Sequence, residues 1–95
     1  MESNQTETRP LIYKVELTKA AEKQLENIPR TELKKIAKRI DKLAENPFPS
    51  GYEKLKAEEG IYCVIQGDYR ILYSVYNGKM TILVVKIGNR PEVYR

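Results

Sequence analysis

The stretch IYCVIQGDYRILYSVYNGKMTILVVKIG, residues 61–88, decides the architecture. Three apolar runs, 61–66, 69–76 and 79–88, are rich in β-branched and aromatic residues and are separated only by Gly67-Asp68 and Asn77-Gly78. Runs of that composition favour strands, and two-residue connections of that type favour hairpins. Gly67 suits a turn with positive φ at its first central position, and Asn77-Gly78 predicts a type I′ turn in which both central residues have φ > 0. The expectation is an antiparallel meander of three strands. Alternation in the middle strand sets Tyr69, Ile71, Tyr73 and Val75 on one face and Arg70, Leu72, Ser74 and Tyr76 on the more polar one.

Upstream of the meander the period changes. LIYKVEL (11–17) alternates, with Leu11, Tyr13, Val15 and Leu17 on one side, and reads as a first strand. Thr18 is a plausible N-cap for a short helix in which Ala21, Leu25 and Ile28 recur at helical spacing, with Pro29 ending it. From about Thr31 a second helix is predicted, with Leu33, Ile36, Ala37, Ile40, Leu43 and Ala44 on its apolar stripe. Asn46-Pro47 stops it, because the residue before proline avoids the helical region. Its other face carries Lys34, Lys35, Lys38, Arg39 and Lys42, which is either a solvated surface or one that meets RNA or an acidic partner. The segment 46–60 is turn-rich, with Lys54-Leu55-Lys56 as a short extended piece. The order is β-α-α-β-β-β, an α+β domain with two N-terminal helices packed on an antiparallel sheet. Residues 1–10 lack periodicity and are expected to form a flexible tail ahead of a single domain over 11–95.

Composition narrows the function. With 95 residues there is room for one modest core, and no apolar run is long enough to cross a bilayer, so no membrane role is expected. The N-terminus carries no signal-peptide pattern, and the expected location is cytoplasmic. The one cysteine, Cys63, offers neither an internal disulfide nor a metal-ligand pattern, so no metal and no cofactor are expected. The absence of histidine excludes Ser-His-Asp and Cys-His nucleophilic arrangements. A formal charge of +4 favours polyanionic or acidic partners.

Arg70 is the residue that needs explaining. A guanidinium fixed on a strand is held in orientation, and its planar fork suits a phosphate or carboxylate; a salt bridge to a nearby acid is the plain alternative. The C-terminal GNRPEVYR (88–95) brings Arg90, Tyr94 and Arg95 to the end of the last strand, where a meander sets them near the start of its neighbour. Arg70 and Arg90 converging would be unfavourable without an anion between them. Tyr94 could stack on a base or exchange a proton, or simply pack over the sheet edge. RNA cleavage without metal or histidine uses the substrate 2′-hydroxyl as nucleophile and needs positive charge on the pentavalent phosphate and groups that move protons. Lys54, Lys56 and Tyr94 are the available proton carriers.

Four pieces, YKVELTKAAEKQLENIP, NPFPSGYEKL, GDYRILYSV and VVKIGNRPEVY, in this order over residues 11–95, resemble the RelE/ParE superfamily of toxins from type II toxin–antitoxin systems, nearest the RelE-type mRNA interferases. The resemblance implies the β-α-α-β-β-β fold and metal-independent cleavage of mRNA in the ribosomal decoding site, inhibiting translation. It also implies neutralisation by a cognate antitoxin in a hetero-oligomer. It puts Arg70 and Arg90 at the positions of phosphate-stabilising arginines and Tyr94 at that of the tyrosine that stacks on the base or transfers a proton. Lys54, with Lys56 and Arg95, falls to RNA contact. The chain departs from the pattern at Cys63 and Ile65, where many members carry two basic residues used in proton transfer and phosphate binding. That departure leaves open a weakened nuclease, a ParE-like gyrase-binding toxin, or a degenerate antitoxin-binding protein on the same fold.

Overall fold

The structure is a computed structural model that describes residues 12–56 and 58–89. The expected tail over 1–10 and residues Leu11, Arg90, Tyr94 and Arg95 lie outside the described residues. The elements run β1 (Lys14–Leu17), α1 (Lys19–Glu26), α2 (Arg30–Glu45), β2 (Glu53–Lys54), β3 (Tyr62–Gln66), β4 (Tyr69–Tyr76) and β5 (Thr81–Asn89). They build a five-stranded sheet in the order β1-β5-β4-β3-β2. The meander β3-β4-β5 is antiparallel, as expected, while β1 joins β5 in parallel, with Leu17 opposite Val84. Parallel pairing follows from the connection: two helices carry the chain from β1 across one face before the meander begins, the length that a parallel neighbour requires.

That face holds the core. Ala21 of α1, Ile36, Ile40 and Leu43 of α2, and Val64, Ile71, Tyr73, Ile82, Val84 and Ile87 of the sheet form one buried cluster. Strand alternation therefore works as the sequence suggests, with Ile71 and Tyr73 under the helices. Ala37 leaves the predicted stripe and is exposed, because the buried positions of α2 are Ile36, Ile40, Leu43 and Ala44. Tyr73 is fully buried, and its hydroxyl donates to the Pro47 carbonyl at 2.6 Å, tying the end of α2's connection to the sheet.

Thr18 caps α1 as its position suggests: its hydroxyl accepts from the Ala21 amide at 3.1 Å. It also donates to the Val85 carbonyl at 2.7 Å, and its amide donates to the Val84 carbonyl at 3.0 Å. These bonds take over where β1 stops. Val85 is the extra residue of an irregularity between Leu72 and Tyr73, where β5 shifts register against β4. One turn further, Gln24 of α1 accepts from the Ile87 amide at 2.6 Å. So α1 satisfies the edge of β5 that β1 is too short to reach.

Three boundaries correct the sequence reading. Pro29 does not end the first helix; Asn27 caps α1, and Pro29 stands at the N-cap of α2, where a fixed φ and a missing N–H cost nothing. The extended piece before the meander is Glu53–Lys54 rather than Lys54-Leu55-Lys56. The Asn77-Gly78 connection is not a two-residue type I′ turn. Tyr76 pairs with Thr81, so the loop has four residues, a 3₁₀ turn over Asn77–Lys79 closed by Met80 at φ 47°. The left-handed residue is Met80, and β5 accordingly begins at Thr81 instead of 79. By contrast, Gly67 has φ +61° and Gln66 pairs with Tyr69, the expected two-residue hairpin with its positive φ on the glycine.

Candidate functional site: the Arg70 face

The sheet face away from the helices is organised around Arg70. Pairing fixes who shares it: Glu53 lies opposite Cys63, Cys63 opposite Leu72, and Ile65 opposite Arg70. A second, smaller cluster forms here, with Cys63 and Leu72 buried and Leu55 and Ile61 packed against them. Arg70 sits beside it and is only 3 % exposed. Its Nη1 donates to Glu53 Oε1 at 3.2 Å and to Cys63 Sγ at 3.1 Å. The guanidinium thus reaches from β4 across β3 to the outermost strand. Of the two readings open from the sequence, the structure contains the salt bridge, and its acid is Glu53.

A guanidinium with so little water around it requires a counter-charge. Glu53 supplies it from a half-exposed position, its side chain 51 % accessible. Cys63 supplies a dipole only. Burial pushes its thiol pKa up, against the opposing pull of the Arg70 hydrogen bond and charge, so it remains protonated at neutral pH. Among the described residues, Arg70 and Glu53 are the charged pair that the hydrogen bonds of this cluster join. Ile65, opposite Arg70, adds no charge.

The other residues singled out from the sequence are placed differently. Lys54 pairs with Tyr62, whose ring belongs to the helix-side core, so the register sets Lys54 on the opposite side of the sheet from Arg70. Lys54 and Lys56 line an open groove of about 680 Å³ with Leu55, Gly60, Ile61 and Tyr62. Beside it, Phe48, Tyr52 and Tyr62 form an aromatic group with ring centres 5.0 to 5.9 Å apart, Tyr62 edge-on to the other two. Gly88 pairs with Arg70, and Arg90, expected to converge on Arg70, lies outside the described residues. On α2, Lys35, Lys38, Arg39 and Lys42 surround a shallow recess with Gln66. The sequence reading missed Glu53: an acid in a turn-rich, charged segment looks like any exposed carboxylate until the β2–β3 register turns it toward Arg70. Among the described residues no group of three or more His, Cys, Asp or Glu side chains is arranged to hold a metal ion, and no described helix is long and apolar enough to cross a membrane.

A helix pair on one face of a small sheet, with a strand-borne arginine on the other, defines a class of compact α+β proteins. The comparisons narrow it. Residues 15–94 match the family model described as the ParE toxin of the type II toxin–antitoxin system parDE. The chain is 31 % identical over 86 residues to the RelE1 protein of Methanocaldococcus jannaschii, covering 87 % of this chain and 96 % of that one. Among solved structures, the RelE–RelB complex of the archaeon Pyrococcus horikoshii aligns with a TM-score of 0.73 at 27 % identity, covering 83 % of this chain and 96 % of that one. The toxin–antitoxin complex RelBE2 of Mycobacterium tuberculosis aligns with a TM-score of 0.75 at 22 % identity, covering 86 % and 95 %. The chain belongs to the RelE/ParE superfamily of type II toxins.

Proposed function

We propose that this toxin is a metal-independent endoribonuclease that cuts mRNA on the ribosome, in the cytoplasm, and so inhibits translation. The observation that carries the reading is Arg70: a strand holds its guanidinium rigidly beside the Gly67 hairpin, in a chain whose relatives bear the name RelE. In the cut, the substrate 2′-oxygen attacks the adjacent phosphorus and gives up its proton, the P–O5′ bond breaks, and the departing 5′-oxygen takes up a proton. The products are a cyclic phosphate and a 5′-hydroxyl. Arg70 and Arg90 are assigned to the charge that builds on the phosphorane oxygens, where fixed donors act most strongly. Tyr94 is assigned to base stacking or proton transfer. Lys54, Lys56 and Arg95 are assigned to the flanking backbone. For Lys54 and Lys56 this accords with their groove, which adjoins exposed aromatic rings of the kind on which bases stack.

A cognate antitoxin is the expected regulator, held with the toxin in a hetero-oligomer. The RelE proteins of P. horikoshii and M. jannaschii were each solved with RelB. The basic face of α2 suits an acidic segment that folds on binding.

Mapping 5′ ends on translated mRNA after expression of the chain tests the assignment. Codon-phased cuts are expected, and they should disappear in Arg70→Ala and Arg90→Ala. Intact mRNA together with inhibited gyrase supercoiling would establish the second reading instead, a ParE-like toxin without catalysis. The specific observation in favour of that reading is that Cys63 and Ile65, beside Arg70, stand where the resemblance expects two basic residues. A third result, intact mRNA and normal gyrase with antitoxin still bound, identifies a degenerate member kept for antitoxin binding.

A further inference from the structure

Arg70 is engaged before any RNA arrives, and its engagement has a direction. The carboxylate that holds it belongs to β2, a strand of two residues at the end of the sheet order. Glu53 is half exposed while Arg70 is 3 % exposed, so an incoming anion meets the carboxylate first. We propose that Glu53 is a built-in competitor for the phosphate site: its carboxylate holds Nη1 of Arg70, and a phosphate group that binds there displaces it.

This rests on the reading of Arg70 as a phosphate-binding residue and adds a specificity rule to it. A carboxylate tethered two strands away acts at an effective concentration of about millimolar or higher. A phosphate offers more charge and more acceptor oxygens to the same fork, so it can win, but only when presented at comparable effective concentration. RNA already positioned by other contacts meets that condition, and free RNA in solution does not. Displacement is feasible on the Glu53 side, because a half-exposed carboxylate that swings out is re-hydrated. Cys63 and Ile65 sharpen the effect: neither brings a cation that would hold an anion while Glu53 still holds Nη1 of Arg70.

The test uses the ¹⁵N-labelled full chain and inorganic pyrophosphate as probe, following the Arg70 guanidinium resonance by NMR. Glu53→Gln should respond at a pyrophosphate concentration at least about tenfold below that of the wild type, the scale of a hydrogen bond to a charged group. The backbone amide shifts of Glu53 and Cys63, followed in the same titration, should respond with Arg70 present and cease to respond when Arg70→Lys is added. Glu53→Asp, which retracts the carboxylate by one methylene and keeps the charge near, should fall between the two and serves if Glu53→Gln melts early. Equal titration midpoints for wild type and both Glu53 variants would overturn the proposal. A parallel titration with a 2′-deoxy-blocked oligoribonucleotide separates it from the nuclease reading. Tightened pyrophosphate binding with neither RNA binding nor mRNA cleavage would leave Glu53 as a guard of an anion site and remove RNA as the ligand.

Discussion

At the scale of single residues, one short side chain ties two distant elements together. Thr18 joins the first turn of α1 to the irregular stretch of β5, accepting from Ala21 and donating to Val85. Thr18→Ala should cost about 1 to 2 kcal/mol, more than a cap alone, because the Val85 carbonyl loses its donor as well; urea unfolding at a constant slope would measure it. The spacing of polar and apolar residues showed the cap, since Thr18 precedes a helical pattern. It did not show the Val85 bond, which joins residues far apart in the chain. The same limit applies to the candidate site. Arg70 stood out as a lone charge in an apolar run, but its partner depends on a register between strands that no local pattern encodes. Arg90, Tyr94 and Arg95 rest on the resemblance to known toxins, as they lie outside the described residues.

Among the elements, the two hairpin turns show why local signals differ in reliability. Gly67 takes the positive φ its residue type predicts, and a Cβ there would meet nothing closer than Glu32 Oε1 at 3.8 Å. Gly67→Ala should therefore destabilise through the backbone alone, by about 1 kcal/mol. At the second turn the left-handed position falls on Met80, three residues after the Asn-Gly signal begins. Register in β5 explains the shift: Thr81 and Ile82 must pair with Lys14 and Val15 of β1 as well as with β4, and a four-residue loop satisfies both neighbours. Met80→Gly should relieve the left-handed strain and raise stability by about 0.5 kcal/mol, after subtracting the added freedom of the unfolded chain. Paired denaturation curves of the two variants should shift in opposite directions.

For the molecule as a whole, buried ionisable groups set an alkaline limit. Burial pushes the pKa of Cys63 above its ordinary value and that of Tyr73 far above its own. Between the ordinary thiol and phenol ranges and the raised folded values, the unfolded chain releases protons that the folded chain retains. Stability is then full below about pH 8.5, where both states are protonated, and falls as pH rises through the thiol range near 8.5 and the phenol range near 10. Melting temperatures measured from pH 8 to 11 should decline, and Cys63→Ala and Tyr73→Phe should each flatten their own part of the decline. Tyr73→Phe should also lower stability at neutral pH, because the Pro47 carbonyl loses a 2.6 Å bond.

The neighbourhood of β1 and β5 bears on when the toxin comes into being. Among the described strands, the first and the last lie side by side, with the last one interior to the sheet. During synthesis, β1, α1 and α2 emerge with their apolar faces unmatched, and β4 has no neighbour on its β5 side until β5 has left the ribosome. Non-local closure of this kind is slow and leaves apolar surface open in the interval. A partner that recognises that surface has a window, between translation of the first strand and of the last, in which to meet a poison that has not yet formed.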